Sequence, residues 1–436
     1  MTAKSLLAQA PWEGRWLRYP QYKDTRVSWL RRIPKHWTMM RLKFVTRLAY
    51  GDSLATDDRE PGDVPVYGSN GMVGTHSRAN TTSATIVLGR KGSFGKVNYL
   101  STPCFAIDTT FYIDKSQTEH NLKWLFYLLC SLRLDSISLD TGVPGLSREL
   151  AYEHRVPCCL DNEESVIANY LDRQTAKIDA LIAKREELIA LLEEKRAALI
   201  SRGVTKGLDP KVQLKDSGTR LPGPMARHWN LLHLRRVVEK FVDYRGATPN
   251  KTTSGMPLVT ARNIKNGKID MGLSQEYIRE EDYDDWMVRG LPEIGDVLVT
   301  TEAPLGESAQ VVNPEIALAQ RIILLKRDKH RMTNDFLKYY FRSHAGRGEL
   351  WSRSTGSTAL GIKASHLKEI LVTVPPLDEQ RNITSYLDRR MTQIDGLVAR
   401  IAESIGQLLE YRISLVSAAV TGKIDVREPG AEAVLP

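Results

Sequence analysis

The chain has 436 residues, which is too many for one ordinary hydrophobic core, so two to four domains are expected. A hydrophobic fraction of 42% and a charged fraction of 26% are typical of a globular protein, and no apolar run approaches the roughly 20 residues that a membrane helix needs. Four cysteines without C-x-x-C spacing, nine scattered histidines and an N-terminus without an apolar h-region predict a cytoplasmic protein with no disulfide framework and no metal.

The net charge of +9 is unevenly distributed along the chain. The basic excess lies in residues 1–160 and 216–375, whereas residues 161–215 and 376–436 have none. A basic surface indicates an acidic partner such as nucleic acid, although many basic proteins bind none.

The first segment, 1–157, is predicted to be one domain. Short β-like runs at Thr85–Leu88 and Cys104–Ile107 alternate with Gly, Asn and Ser turns, which favours a mixed α+β fold. The sequence GRKGSFGKV (89–97) fails the phosphate-loop pattern, because Arg90 stands where that pattern requires glycine. We therefore interpret it as a basic β-turn, which is either solvated or placed against DNA.

Arginine can bond guanine bidentately, asparagine can bond adenine, and lysine can neutralise phosphate. In this segment the candidate DNA-binding residues are Tyr67, Ser69, Asn70, Arg90, Lys91, Ser93, Lys96 and Arg148.

The next segment, 158–215, contains a predicted helix over about 162–205. Residues 170–209 align without gaps with residues 386–425, which is an internal duplication. Both copies have an apolar stripe at heptad spacing, lack proline and have charged flanks, so each predicts one long helix. One such helix cannot bury its stripe alone, and two copies can do so by packing antiparallel. The residues expected at this contact are Leu171, Ile178, Leu181, Leu192, Leu199, Leu387, Ile394, Leu397, Ile401, Leu408 and Leu415.

The third segment, 216–373, is predicted to be a second mixed domain, and the fourth, 374–436, contains the second long helix over about 378–420 and a tail. His36-Trp37 and His228-Trp229 stand at corresponding places near the start of the two domains, and we call this repeated pair the His-Trp frame. A pair that recurs in the shared framework of two otherwise different domains favours a packing role over a catalytic one. Between the frames the two domains look unlike each other. In the second domain the candidate DNA-binding residues are Thr260, Arg262, Asn263, Lys265, Asn266, Arg353, Ser357 and Lys363. For each asparagine, a purely local turn role is an equally good interpretation.

Several short motifs follow one another in a characteristic order. They are IPKHW (33–37), VYGSNG (66–71), GRKGSFGKV (89–97), PGLSRE (144–149), VTKG (204–207), VPPLDEQ (374–380) and VTGKID (420–425). With this order the chain resembles the specificity subunit of type I restriction–modification systems over essentially its full length. One departure is CCLDNEES (158–165), which lacks the double proline and the glutamine of the second copy.

The resemblance implies an α+β architecture in which two target-recognition domains are joined by two long antiparallel helices in a pseudo-two-fold arrangement. Each domain would recognise one half of a bipartite double-stranded DNA site, and the helices would set the distance between the half-sites. The implied partners are two modification subunits and restriction subunits in a bacterial or archaeal cytoplasm, with no membrane. The chain itself would hold no cofactor, since S-adenosylmethionine would be bound by the modification subunits, and ATP and Mg by the restriction subunits.

Catalytic residues are not predicted, because no methyltransferase Asn-Pro-Pro-Tyr run and no nucleophile elbow is present. Two alternatives stay open from the residues alone. The chain could be a nuclease or methyltransferase with an unrecognised active site, or a coiled-coil scaffold whose basic domains bind acidic proteins.

Overall fold

The computed structural model describes residues 16–136, 145–219, 223–246, 248–356 and 360–427. Packing divides the chain into two compact units, residues 1–185 with 402–436 and residues 186–401. Each unit therefore combines one globular segment with half of each long helix, whereas the predicted boundaries at 157, 215 and 373 treat the helices as segments of their own. Within the described residues, no helix has both the length and the apolar composition needed to cross a membrane.

The first unit is a mixed α/β structure. Its strands are β1 (Tyr22–Val27), β2 (Leu30–Pro34), β3 (Thr38–Arg41), β4 (Ala49–Tyr50), β5 (Val64–Gly68), β6 (Gly71–His76), β7 (Thr85–Gly89), β8 (Val97–Leu100), β9 (Phe105–Ala106), β10 (Thr110–Ile113) and β11 (Arg155–Cys158). Its helices are α1 (Leu122–Ser131), α2 (Arg148–Glu153), the first half of α3 (Asp161–Lys206) and the second half of α8 (Leu377–Val420).

The core of the first unit forms around a four-stranded antiparallel sheet in the order β4-β10-β7-β8. Strand β7 is buried at every position, which fits its continuous apolar run. Helix α1 packs on this sheet and buries Trp124 and Leu128 completely. Its N-cap residue Asn121 accepts hydrogen bonds from the backbone N–H groups of Lys123 and Trp124, so the helix begins at that residue.

The second unit contains the remaining elements. Its strands are β12 (Leu214–Lys215), β13 (Met225–Ala226), β14 (Asn230–His233), β15 (Val238–Asp243), β16 (Lys251–Thr252), β17 (Met256–Val259), β18 (Ile264–Lys265), β19 (Lys268–Ile269), β20 (Tyr277–Ile278), β21 (Val297–Thr300), β22 (Ser308–Gln310), β23 (Ala317–Leu318), β24 (Ile322–Arg327) and β25 (Leu371–Val374). Its helices are α4 (Tyr283–Trp286), α5 (Asn334–Arg342), α6 (His344–Ser352), α7 (Ala364–Lys368) and the first half of α8 (Leu377–Val420), together with the second half of α3.

The two units share one topology, although their interior sequences look unrelated. The sheet β15-β24-β21-β22 repeats the order and the antiparallel pairing of β4-β10-β7-β8. A parallel pair, β5 with β9 or β17 with β23, lies beside the sheet in each unit, and β3 with β11 corresponds to β14 with β25. The duplication therefore extends through the domain interiors, because strand pairing is made by the backbone and tolerates different side chains.

The repeated His-Trp frame has the packing role that the sequence predicts. Trp37 and Trp229 are completely buried. The indole of Trp37 donates a hydrogen bond to Glu163 at 3.1 Å, and the indole of Trp229 donates one to Glu379 at 3.0 Å. The neighbouring residues His36 and His228 pair with the same carboxylates at 2.9 and 2.8 Å. In each unit the frame thus attaches the start of the globular segment to the start of a long helix.

Both long helices have the predicted bounds to within one residue, and their halves pack antiparallel inside each unit. In the first unit Arg412 donates to Asp179 at 3.0 Å, and Arg185 donates to the carbonyl oxygen of Ser404 at 3.1 Å. As the residue number rises along α3, the number of its partner on α8 falls, which is the signature of antiparallel helices.

The second unit repeats this geometry with the end of α3 and the start of α8. Arg196 on α3 pairs with Asp395 on α8, and a side chain at Gly203 would touch Ile383 and Leu387. Within each unit the two halves are therefore antiparallel.

The residues predicted to form the contact between the two helices, which we call the packing seam, differ in how far they are buried. Six of the eleven residues expected at this contact are buried, namely Leu171, Ile178, Leu387, Ile394, Leu408 and Leu415. Leu192, Leu199 and Leu181 are partly buried against the cores, and Ile401 is partly exposed.

Leu397 is 42% exposed, so its predicted packing role is wrong. After Leu387 and Ile394 the covered residue lies four positions on rather than three, so that Met391 is buried and Val398 packs on the core, whereas Tyr411, three positions after Leu408, is completely buried. Positions +3 and +4 lie on opposite sides of a seam residue on a 3.6-residue helix, and the position of the partner helix decides which of them is covered.

Candidate nucleic-acid interface

The basic sequence GRKGSFGKV forms a tight turn between β7 and β8. The N–H of Gly89 bonds the carbonyl oxygen of Lys96, and the N–H of Gly95 bonds that of Gly89, both at 2.9 Å. Gly95 has a φ of 77° and lies so close to Asp135 that a Cβ atom there would be 2.2 Å from its backbone nitrogen. Only glycine fits this position, so the base of the turn packs closely against the backbone of Asp135.

The hairpin β5–β6 lies against this turn and brings several predicted residues together. The ammonium of Lys96 donates to the carbonyl oxygen of Asn70 at 2.7 Å and to its side-chain oxygen at 3.2 Å. Ser69 lies next to Gly89 and Gly92. Lys96 thus fastens the hairpin to the turn, whereas the side chains of Lys91 and Ser93 are exposed.

Two predicted arginines meet on one exposed aromatic ring. The guanidinium carbons of Arg148 and Arg90 lie 4.7 and 5.2 Å from the ring centre of Tyr50, which is 46% exposed. Arg90 is held in place because its Nε and Nη2 atoms donate to the carbonyl oxygen of Asp108 at 3.2 and 2.6 Å. The Nε atom of Arg148 is buried without a hydrogen bond among the described residues, and it forms an ion pair with Glu149 at 3.7 Å. We call Arg90, Tyr50 and Arg148 the arginine–tyrosine cluster.

The arginine–tyrosine cluster is suited to hold an anion. Two like charges near one ring repel each other, and a phosphate or another anion between them would relieve this repulsion. Tyr50 itself was not predicted, because a single tyrosine after a short β-run gives no signal in the sequence. Tyr67 has a different position from the other candidates, since its ring packs partly on the small core of Val87, Leu100 and Cys104.

The second unit has an equivalent turn with opposite charge, between β21 and β22. The N–H of Thr300 bonds the carbonyl oxygen of Glu307 at 2.9 Å, and the N–H of Gly306 bonds that of Thr300 at 3.0 Å. These two bonds match those of Gly89 and Gly95 in the first unit. The carboxylate of Glu307 accepts the backbone N–H of Asn266 at 3.1 Å, in the turn of the hairpin β18–β19. Glu307 therefore holds an Asn-Gly hairpin against the turn as Lys96 does, but it accepts a hydrogen bond from the hairpin where Lys96 donates one.

Asn263 is not available for recognition of a base, so its prediction as a DNA-binding residue is wrong. It is completely buried, and its amide group donates to the carbonyl oxygens of Asp270 and Ser274 at 3.0 and 2.7 Å. Its oxygen accepts from the N–H and the hydroxyl of Thr260, which uses the Thr260 hydroxyl as well. Both residues form the capping box of a short 3₁₀ helix, so their role is local.

The other candidates of the second unit are dispersed over its surface. Arg262, Lys265, Asn266 and Lys363 are exposed, and Asn266 has a φ of 53° in its hairpin turn. Arg353 pairs with Glu349 at 3.2 Å. Ser357 lies outside the described residues. The structure does not gather these cations into a counterpart of the arginine–tyrosine cluster.

One group of potential metal ligands occurs among the described residues, in the first unit. Atoms of His120, Asp161 and Glu164 lie within 4.8 Å of one another. Both oxygens of Glu164 are already used, since one pairs with His120 at 2.5 Å and the other accepts the N–H of Asn121 at 2.8 Å. In the second unit Gln380 takes the place of Glu164 and accepts the N–H of Thr333, the counterpart of Asn121. The contacts of Glu164 are therefore explained by the attachment of α1 to the start of α3.

The four cysteines are free thiols. Burial raises the pKa of Cys104 to about 11 and that of Cys158 to about 12, so neither forms a thiolate near neutral pH. Neither has the low pKa that an activated nucleophile requires.

Two α+β units of one topology, each with a charged turn on its surface, define a duplicated two-domain protein. The family model described as "Type I restriction modification DNA specificity domain" matches residues 34–190 and 239–405, which are most of the chain. The chain belongs to this family.

Relatives and solved structures agree with this assignment. The chain is 20% identical over 354 residues to the type I restriction enzyme EcoBI specificity subunit of Escherichia coli, covering 78% of this chain and 73% of that protein. It is 27% identical over 178 residues to the EcoKI specificity subunit of Escherichia coli strain K12, covering 39% of this chain and 36% of that protein. A solved chain from work on complex assembly and conformational transition of the type I R-M system has the same fold, with a TM-score of 0.64, 15% identity, and coverage of 90% of this chain and 99% of that one.

Proposed function

We propose that this protein is the non-catalytic specificity subunit of a type I restriction–modification complex and recognises a bipartite sequence in double-stranded DNA. Each unit binds one half-site. Because the two units share a topology but present different side chains at the equivalent turn, the two half-sites differ in sequence.

The observation that supports this proposal most directly is the arginine–tyrosine cluster. Arg90 and Arg148 lie on one exposed ring beside the basic turn, and their positive charges suit a DNA phosphate. The proposal therefore assigns this surface to DNA.

The relatives are named as subunits of restriction enzymes, which supports partner proteins that perform the chemistry. We propose two modification subunits and restriction subunits as these partners. S-adenosylmethionine would be bound by the modification subunits, ATP and Mg by the restriction subunits, and no cofactor by this chain. In this scheme the chain supplies only the recognition of the DNA sequence.

Selection from a randomised double-stranded DNA pool tests the proposal. The purified full-length chain, alone and with its modification subunits, is expected to enrich two short motifs with a fixed spacer between them. Exchange of residues 216–373 for those of a relative should change one motif and leave the other intact.

Two results would contradict the proposal. Enrichment of no sequence would favour the scaffold alternative. Methyl transfer or DNA cleavage by the chain without any partner would favour the enzyme alternative.

A further inference from the structure

The equivalent turns of the two units invert their charge at one exposed position. Lys91 in the first unit and Glu302 in the second each form an isolated antiparallel bridge, with Gly145 and with Gly361. The preceding residues correspond as well, because the carbonyl oxygens of Arg90 and Thr301 accept the N–H groups of Leu146 and Ile362 at 2.8 and 2.9 Å. Glu302 thus occupies the place of Lys91, and Thr301 the place of Arg90.

The position of Glu302 is fixed on several sides. Arg321 forms an ion pair with its carboxylate at 2.7 Å, and 39% of the Glu302 side chain is exposed. Its bridge partner Gly361 is held by two backbone hydrogen bonds with Thr355, at 2.8 and 3.0 Å. The carboxylate is therefore a preorganised acceptor at the edge of the turn.

A carboxylate at a DNA surface needs a specific partner, because phosphates repel it. In the major groove only the amino groups of cytosine N4 and adenine N6 donate hydrogen bonds, and a Glu carboxylate pairs with cytosine N4. Arg321, which neutralises the charge of Glu302, lowers the repulsion from neighbouring phosphates. The lysine at the same place in the first unit cannot accept a hydrogen bond from any base.

We propose that Glu302 recognises the N4 amino group of a cytosine in the half-site bound by the second unit. The inference rests on the proposed function and adds a specificity-determining residue to it. It also gives a reason why two units of one topology prefer different sequences, since the equivalent positions hold an acceptor in one unit and a donor in the other.

The test compares the wild-type chain with Glu302→Gln in selection from a randomised double-stranded DNA pool. The wild type should require cytosine at one position of one half-site. In the variant this preference should fall by about 5- to 150-fold and shift toward adenine, since a glutamine amide bonds adenine N6 and N7. The other half-site should stay unchanged. Glu281→Gln is the matched control, because Glu281 is an exposed carboxylate of the same unit that pairs with Arg279.

The possible failures are distinguishable. If the wild type enriches two half-sites and Glu302→Gln enriches the same bases at every position, the inference is overturned and the proposed function stands. If the wild type enriches no sequence, the proposed function fails. If Glu302→Gln does not fold, Glu302→Asp replaces it, because aspartate retains the charge on a shorter side chain. A weaker cytosine preference in Glu302→Asp then supports the inference, and an unchanged motif overturns it.

Discussion

The indole of Trp37 donates a hydrogen bond to the carboxylate of Glu163 at 3.1 Å, although 126 positions separate the two residues. The hydroxyl of Tyr19 donates to the same carboxylate at 2.6 Å, and the Glu163 side chain is only 4% exposed. A buried carboxylate is stable only when its oxygens are satisfied, so these donors and Glu163 depend on one another. This contact joins the start of the first globular segment to the start of α3.

Replacement of Glu163 by alanine is therefore expected to destabilise the first unit strongly. Each buried donor that loses its acceptor costs about 1–3 kcal/mol, and Tyr19 and Trp37 both lose theirs. Urea unfolding of the full-length chain measures the change. Glu379→Ala is the matched variant in the second unit, where the carboxylate is 31% exposed, so a smaller loss is expected. Equal losses in the two variants would contradict this explanation.

The helix seam predicts a sharp contrast between two leucines on α8. Leu387 is completely buried, and its replacement by alanine should lower the free energy of unfolding by about 2–5 kcal/mol. Leu397 is 42% exposed, and the same replacement there should change it by no more than about 0.5 kcal/mol. Thermal or urea unfolding compares the two variants directly. A large loss at Leu397 would contradict its exposure in the structure and support the packing role predicted from the sequence.

The arginine–tyrosine cluster predicts a change in salt dependence. Arg148→Ala should weaken DNA binding to a similar extent for all sequences and reduce the slope of log affinity against log salt by about 1, as expected for one lost phosphate contact. Fluorescence anisotropy titrations at several salt concentrations measure both effects. Arg32→Ala is the control for net charge, because the Arg32 side chain is 73% exposed on β2 and pairs with Asp24. The same slope change in both variants would argue for general electrostatics instead of a contact at the cluster.

His120 predicts a pH-dependent stability of the first unit. Its hydrogen bond to Glu164 raises the pKa of His120 above its ordinary value. A raised pKa in the folded state means that protonation stabilises the fold. This contribution is complete below about pH 6.5, the unfolded value, and is lost as the pH rises through the folded pKa.

Thermal unfolding between about pH 5.5 and 9 should therefore show a midpoint that falls with rising pH in the wild type. The fall should be smaller in His120→Met, which copies Met332 of the second unit. His330→Met, at an exposed histidine of the second unit, is the control. Parallel pH profiles for the wild type and His120→Met would refute a role of this pair.

The amino-acid sequence by itself determined the two long helices, the burial of both frame tryptophans and the family of the chain. Helix propensity and an apolar stripe are local properties, and a stripe written twice requires a partner of the same length. The bounds of α3 and α8 were therefore predictable to within one residue.

Only the tertiary structure decided which side of the α8 stripe is covered near Leu397, because Leu397 and Val398 are both apolar and the position of the partner helix selects between them. It also placed Asn263 inside the second unit, where backbone carbonyl groups from a distant part of its loop take both amide hydrogens. Finally, it made Glu302 the counterpart of Lys91. The two turns have few residue types in common. Their equivalence is shown by matching backbone hydrogen bonds, which a sequence comparison does not detect.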